Sequence, residues 1–264
     1  MRAAANPLRS FPGSGVVGAF FFAYLYLPVV VLIALSFNAN RSATIWTGFS
    51  FDWYGEVFVN KTIIAAARNS LTVASTATIV ATVIATLAAL GTERRFRGQA
   101  PVNAAIALPL VVPEVVTAIA TLLFFVMIHV ELGLATVIIA HIVFCIPFAY
   151  LPIRARLEGM DRSLREAAAD LYADEWQTFR RVTLPLLWPG ILSGAMLAFI
   201  ISLDDFVITF FVAGAGASTL PIYIYTLIRI GISPEVNAIS AMMLVVSILF
   251  VSLSFLLSRR RPDH

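Results

Sequence analysis

The chain has 264 residues, 60% of them hydrophobic and 12% charged, with a mean hydropathy of +0.91 and a formal net charge of +3. This composition lies outside the range of soluble domains. The small net charge says little by itself, and no nucleic-acid partner is expected from it.

The gaps between charges set the number of spans. There are 31 uncharged residues between Arg9 and Arg41, 24 between Arg68 and Glu93, 22 between Glu131 and Arg154, and 23 between Glu235 and Arg259. Two longer windows are interrupted only by Glu114 and by Asp204 with Asp205. A spanning helix needs about 20 such residues. The chain therefore reads as an all-α membrane protein with six transmembrane helices, near 16–36, 68–91, 102–128, 134–153, 187–212 and 236–258.

The first apolar run is longer than the core of a signal peptide and has no small-residue cleavage site near Asn38, so it reads as a span. The segment from Asn38 to Ala67 carries Trp46, Phe49, Phe51, Trp53 and Tyr54. Such aromatics form an interfacial belt or a seat for an extracytoplasmic protein, and the two readings are compatible. Asn69-Ser70 opens the second span, and threonines at 72, 76, 78, 82 and 86 suit close helix packing. Pro109, Pro113 and Pro147 lie inside spans, where they bend a helix beside a cavity or simply kink it. The lone Cys145 reads as a small packing residue.

Glu114 is twelve residues into the third span, about 18 Å from its inner end on a straight helix. Asp204 is fourteen residues past Gly190, about 21 Å by the same rise, so the two carboxylates are expected at similar depth. Charges at such depth mark a functional path, unless a neighbouring Thr, His or Arg satisfies each one. Asp204 and Asp205 would lie about 100° apart on a helix, so both cannot face one lumen; Asp204 is the better match to Glu114. Phe206, Phe210 and Phe211 follow as helix packing or as ring faces for a cation.

The stretch 154–186 is polar between two spans. Leu157, Met160, Leu164, Ala168 and Leu171 are spaced 3, 4, 4 and 3, which predicts one amphipathic helix, and Pro185 is expected to stop the pattern that follows. Such a helix lies on the membrane surface or docks a soluble partner. With the N-terminus inside, fourteen of the eighteen basic residues fall on the inner side, and only Arg41, Lys61, Arg68 and Arg229 lie outside. Both termini and the 154–186 loop are thus expected in the cytoplasm. Residues 213–235 read as an external or re-entrant segment, with Gly214 and Gly216 breaking the fifth helix.

Glu166-Ala167-Ala168, Asp170-Leu171, Ala173 and Val182-Thr183-Leu184-Pro185 resemble the EAA loop of ABC-importer membrane subunits. In that family two short helices, separated by a glycine, sit in a groove of the ATP-hydrolysing subunit. Here Tyr172 stands in the glycine's place, and a positive φ costs a tyrosine energy. The resemblance extends across nearly the whole chain. SLDDFVITFFVAG at 202–214, LPIYIYTLI at 220–228 and SPEVNA at 233–238 are similar to the membrane subunit of polyamine (spermidine/putrescine) ABC importers. So are Ser36-Phe37-Asn38, Pro113-Glu114-Val115-Val116, His141, Phe144-Cys145 and Pro147-Phe148.

The resemblance implies a single permease domain over 1–264 with the type I ABC importer permease fold, in a bacterial inner membrane. It implies ATPase coupling through Glu166, Ala167, Ala168, Asp170, Leu171, Tyr172 and Ala173, and a polyamine pathway at Glu114, Asp204 and Asp205. The implied partners are a second, non-identical permease, two ATPase subunits and a periplasmic substrate-binding protein. No G-x-x-x-x-G-K-[ST] loop occurs, so no cofactor is expected in this chain; ATP and Mg belong to the ATPase. The alternatives are a permease for another cationic solute and a proton-coupled secondary transporter using Glu114 and Asp204. An intramembrane enzyme is the weakest reading, since neither H-E-x-x-H nor G-x-S-x-G occurs and His129 and His141 are too far apart for a helical metal pair.

Overall fold

A computed structural model describes residues 13–259 apart from 41, 43, 44, 94, 95, 162 and 232. Arg2, Arg9, Arg41, Arg94, Arg95, Arg162, Arg260 and Arg261, which enter the orientation argument, lie outside the described residues. Among the described residues twelve α-helices follow one another: α1 Ser14–Leu35, α2 Asp52–Val59, α3 Lys61–Gly91, α4 Gln99–Val111, α5 Glu114–Met127, α6 Leu134–Glu158, α7 Ser163–Asp170, α8 Glu175–Thr178, α9 Leu184–Asp204, α10 Val207–Val212, α11 Leu220–Ile230 and α12 Pro234–Arg259. A π-helical turn, Phe179–Thr183, joins α8 to α9. Among the described residues five helices are long and apolar enough to cross a bilayer, and a sixth span results if the bent pair α4–α5 counts as one.

The chain divides into two compact units, residues 1–59 with 227–243 and residues 60–226 with 244–264. In the first, the segment after α1 is built on Asn38, whose amide donates to the Ile45 and Ser42 carbonyls at 2.8 and 3.2 Å. The buried Trp53 indole donates to the Asn38 carbonyl at 2.7 Å. Phe37 stacks on Phe49 and meets Phe51 edge-on and Tyr54 at a tilt, so the aromatics of this segment are partly structural.

In the second unit α3 begins well before the expected 68, because Asn60 caps it by accepting from the Thr62 and Ile63 N–H groups. Ala77, Ala81, Ala85 and Ala89 recur every four residues and are fully buried. Small residues let backbones approach, and this stripe packs α3 onto α6 and α9 with Cys145, Ala149, Ile153, Leu187 and Ala198. Gly194 belongs to the same close approach: a Cβ there would sit 2.5 Å from the Ala149 carbonyl oxygen. A second apolar core gathers Ala118 and Phe125 of α5, Val137 and Phe144 of α6, and Ile208 and Val212 of α10.

Three expectations are corrected. The third span is not straight: α4 and α5 meet at 110°, so a depth for Glu114 counted along one axis does not hold. Val112 is extended at ψ 133, as a residue before proline tends to be, and Pro113 has no N–H to continue the ladder. The fifth helix breaks at Asp205, extended at ψ 127, well before Gly214, so the 100° relation between Asp204 and Asp205 is also lost. The 154–186 stretch is not one amphipathic helix. Leu157 ends α6 in the core, Leu171 lies beyond α7 and 82% exposed, and helix runs through Pro185 into α9. Within 213–235, α11 is a helix, but its 11 residues are too few to cross a bilayer.

Candidate functional site

The two sequence-selected regions are a polar break inside the bundle and an exposed helix pair at its end. The break begins where α9 stops at Asp204. Asp205 turns inward and caps α10, accepting from the Ile208 N–H at 3.3 Å, the Thr209 N–H at 3.0 Å and the Thr209 hydroxyl at 2.9 Å. His141 of α6 joins it, with Nε2 2.8 Å from Thr209 Oγ1 and 3.1 Å from Asp205 Oδ2. Its Nδ1 lies 2.7 Å from Ser202 Oγ. Because Thr209 donates to Asp205, it accepts from Nε2–H. All four side chains are buried, and every bond is made.

The structure thus separates the three expected pathway carboxylates. Asp205 is enclosed by the His141 network, whereas Asp204 is exposed at the end of α9. Glu114 is half-buried at the start of α5. His141, Ser202 and Thr209 were not singled out as site residues by sequence reasoning. The signal available for them was a histidine alone in an apolar span and the spacing Ser202-x-x-Asp205-x-x-x-Thr209.

At the other region, α7 ends in a Schellman turn: the Ala173 N–H donates to the Ala168 carbonyl at 3.0 Å and the Tyr172 N–H to Ala169 at 2.9 Å. The residue at the turn must be left-handed, and Tyr172 is, at φ 58. It adopts the conformation for which the family uses glycine. Tyr172→Gly is expected to stabilise the loop by about 1 kcal/mol, net of glycine's extra chain freedom. Slower hydrogen exchange across α7 would register it; unchanged exchange would refute the strain.

Asp174 then caps α8 through the Gln177 N–H at 2.7 Å. Glu166, Ala167, Asp170, Leu171 and Tyr172 are exposed, Ala173 is half-buried, and Ala168 is buried beneath them. Trp176 adds a further exposed ring, so the pair presents several apolar groups at its surface.

This helix pair is fastened to the bundle. Arg165 pairs with Glu93 just beyond α3, and that hydrogen bond holds the guanidinium above its ordinary pKa. Arg156 Nε donates to the Leu186 carbonyl at 2.9 Å. The Ser163 backbone N–H and hydroxyl hold the Asp161 carboxyl below its ordinary range at the start of α7.

Residues 81–261 match the family described as the binding-protein-dependent transport system inner membrane component. The chain is 40% identical over 240 residues to the spermidine/putrescine permease PotC of Haemophilus influenzae, covering 90% of this chain and 93% of that one. It is 40% identical over 231 residues to the putrescine permease PotI of Escherichia coli K12, covering 84% and 82%. Among solved structures, a bacterial ABC transporter that imports the acidic polysaccharide alginate superposes with a TM-score of 0.71 at 19% identity, covering 94% of each chain. The MetNI methionine ABC transporter superposes at 0.64 and 19% identity, covering 74% of this chain and 94% of that one. The helices, their breaks and the exposed EAA-type pair belong together: the chain is a member of the binding-protein-dependent transport family, a multi-pass permease with the type I ABC importer fold.

Proposed function

We propose that this chain is the permease subunit of an ATP-driven importer that moves polyamines, spermidine or putrescine, inward across a bacterial inner membrane. The observation that carries this reading is the near end-to-end similarity to two permeases named for those solutes. The charge pattern supports it: Asp204 stands exposed at a helix break in the bundle, where a multiply charged cation gains from a carboxylate. The working assembly joins a second, non-identical permease, two ATPase subunits that bind ATP and Mg, and a periplasmic binding protein. Both termini and the α7–α8 pair face the cytoplasm, and closure of the ATPase dimer pushes on Glu166 to Ala173.

The test is ATP-dependent uptake of labelled spermidine and putrescine by vesicles holding the whole complex. Glu114→Gln and Asp204→Asn are each expected to lower uptake at least tenfold with the complex intact, the scale of losing one ion pair away from bulk water. Uptake of a different solute in place of polyamines would remove the substrate assignment. Full polyamine uptake by both variants would make the carboxylates structural.

Coupling is tested separately. Ala167→Glu places a long charged side chain on the exposed face of α7, where the partner surface would have to desolvate it. A loss of uptake of at least tenfold is expected, with ATPase activity retained but unlinked or with the ATPase no longer co-purifying. Normal uptake and normal assembly would overturn the docking role.

A further inference from the structure

The α7–α8 pair joins the bundle twice through the chain itself, where α6 runs into α7 and where α8 runs through the π-helical turn into α9. A body held at two points still turns about the line between them. Beside that line lies a cavity of about 620 Å³, with Leu90 and Gly91 of α3 on one side and Ala169 and Ala173 on the other. Alanine side chains are too short to bridge it, and atoms across a gap pass no force by contact.

Arg165 crosses this gap to Glu93. The receiving end is fixed. Thr92, next to Glu93, donates its hydroxyl to the Ala88 carbonyl at 2.7 Å and lies 3.0 Å from the Tyr150 hydroxyl. Arg154 Nη1 reaches the Ala89 carbonyl and Thr92 Oγ1, each at 3.4 Å, and Gln99 donates to the Thr92 carbonyl at 2.6 Å. The residue beside Glu93 is thus bound to α3, α6 and the start of α4 at once. The Glu93 and Arg165 side chains are 22% and 28% exposed, so water reaches both. An ion pair of that kind adds little to folding, and breaking it leaves no charge sealed from water. What it supplies is a third point of attachment.

We propose that the Glu93–Arg165 pair is a strut that stops the α7–α8 pair from swivelling, so that a push from the ATPase moves α3, α4 and α6 together. The inference rests on the importer reading. It adds two positioning residues, one of them outside the EAA-type loop, and a route into the bundle separate from α9. Without the strut the same push turns the pair over the cavity, and ATP is hydrolysed while little solute moves.

The experiment is the ratio of ATP hydrolysed to labelled spermidine imported by vesicles holding the whole complex, at saturating loaded binding protein. Glu93→Ala and Arg165→Met are each expected to raise the ratio about fivefold with the complex intact, inside the range by which changes along a coupling path alter linkage. The double variant Glu93→Cys with Arg165→Cys is then bridged by a methanethiosulfonate reagent whose spacer matches the ion pair's reach. Bridging is expected to bring the ratio within about twofold of the parent, and reductant to raise it again. The buried Cys145 stays out of the reagent's reach. A pair that served only to keep the chain folded would change the yield of complex and leave the ratio alone. Single variants coupled like the parent, or a bridged double variant no better than the reduced one, overturn the strut and leave the importer reading intact. A parent complex in which ATP drives no spermidine uptake removes both.

Discussion

Asp205→Ala is expected to destabilise the chain by about 3 kcal/mol and to abolish transport, because the carboxylate closes a buried hydrogen-bond network. Its loss strands the Ile208 and Thr209 N–H groups and the Thr209 hydroxyl, and removes the carboxylate beside His141. Each stranded group costs roughly 1–3 kcal/mol, and relaxation recovers part of the sum. Asp205→Asn keeps one acceptor oxygen and is expected to lose about half as much. Cys145 is fully buried and serves as the reporter, since a thiol-reactive dye labels it only when the bundle opens. Equal labelling temperatures for the alanine variant and the parent would show that the network does not hold the break.

The second large effect is expected at Gly214. A Cβ built there would lie 1.8 Å from the Leu132 carbonyl oxygen and 2.9 Å from the Gly133 nitrogen, both backbone atoms that no rotamer change can move. The neighbourhood is also pinned: Thr136 Oγ1 donates to the Val212 carbonyl at 2.8 Å, and Asn69 donates to the Gly216 and Ser218 carbonyls at 3.0 and 2.9 Å. Gly214→Ala must therefore separate the segment from the α5–α6 turn, at a cost of about 3 kcal/mol or more. Gly216→Ala is the control. It meets nothing within 4 Å and costs only the positive φ of 78°, about 1 kcal/mol. Equal recovery and equal melting of the two variants would refute the close approach.

The spans were legible because charge is so costly in a bilayer that its spacing maps the helices directly. The breaks were not. Pro113 was visible, yet a proline inside a span is compatible with a kink or with a full turn, and only the extended Val112 makes it 110°. At Asp205 there is neither proline nor glycine. The helix stops because a carboxylate finds His141, 64 positions away in the chain, and a local pattern cannot register that partner. The 154–186 loop failed in the opposite sense, since an apolar period of 3, 4, 4 and 3 continued by coincidence across the turn between α6 and α7. The motif itself was the better guide. It implied a left-handed residue at 172, and Tyr172 takes that conformation against its own preference.

From Glu175 the helix continues for 30 residues, through the π-helical turn and Pro185, to Asp204. At 1.5 Å per residue that is a rod of roughly 45 Å, with the exposed Trp176 near one end and the break at the other. Tilting such a rod by only 5° carries its far end through roughly 4 Å, more than the length of any hydrogen bond in the His141 network. The pivot therefore does not need to be large, and the extra residue per turn at Phe179–Thr183 sits where a small swing would begin. A few degrees of angle become, at Asp204, the difference between a closed wall and an open one.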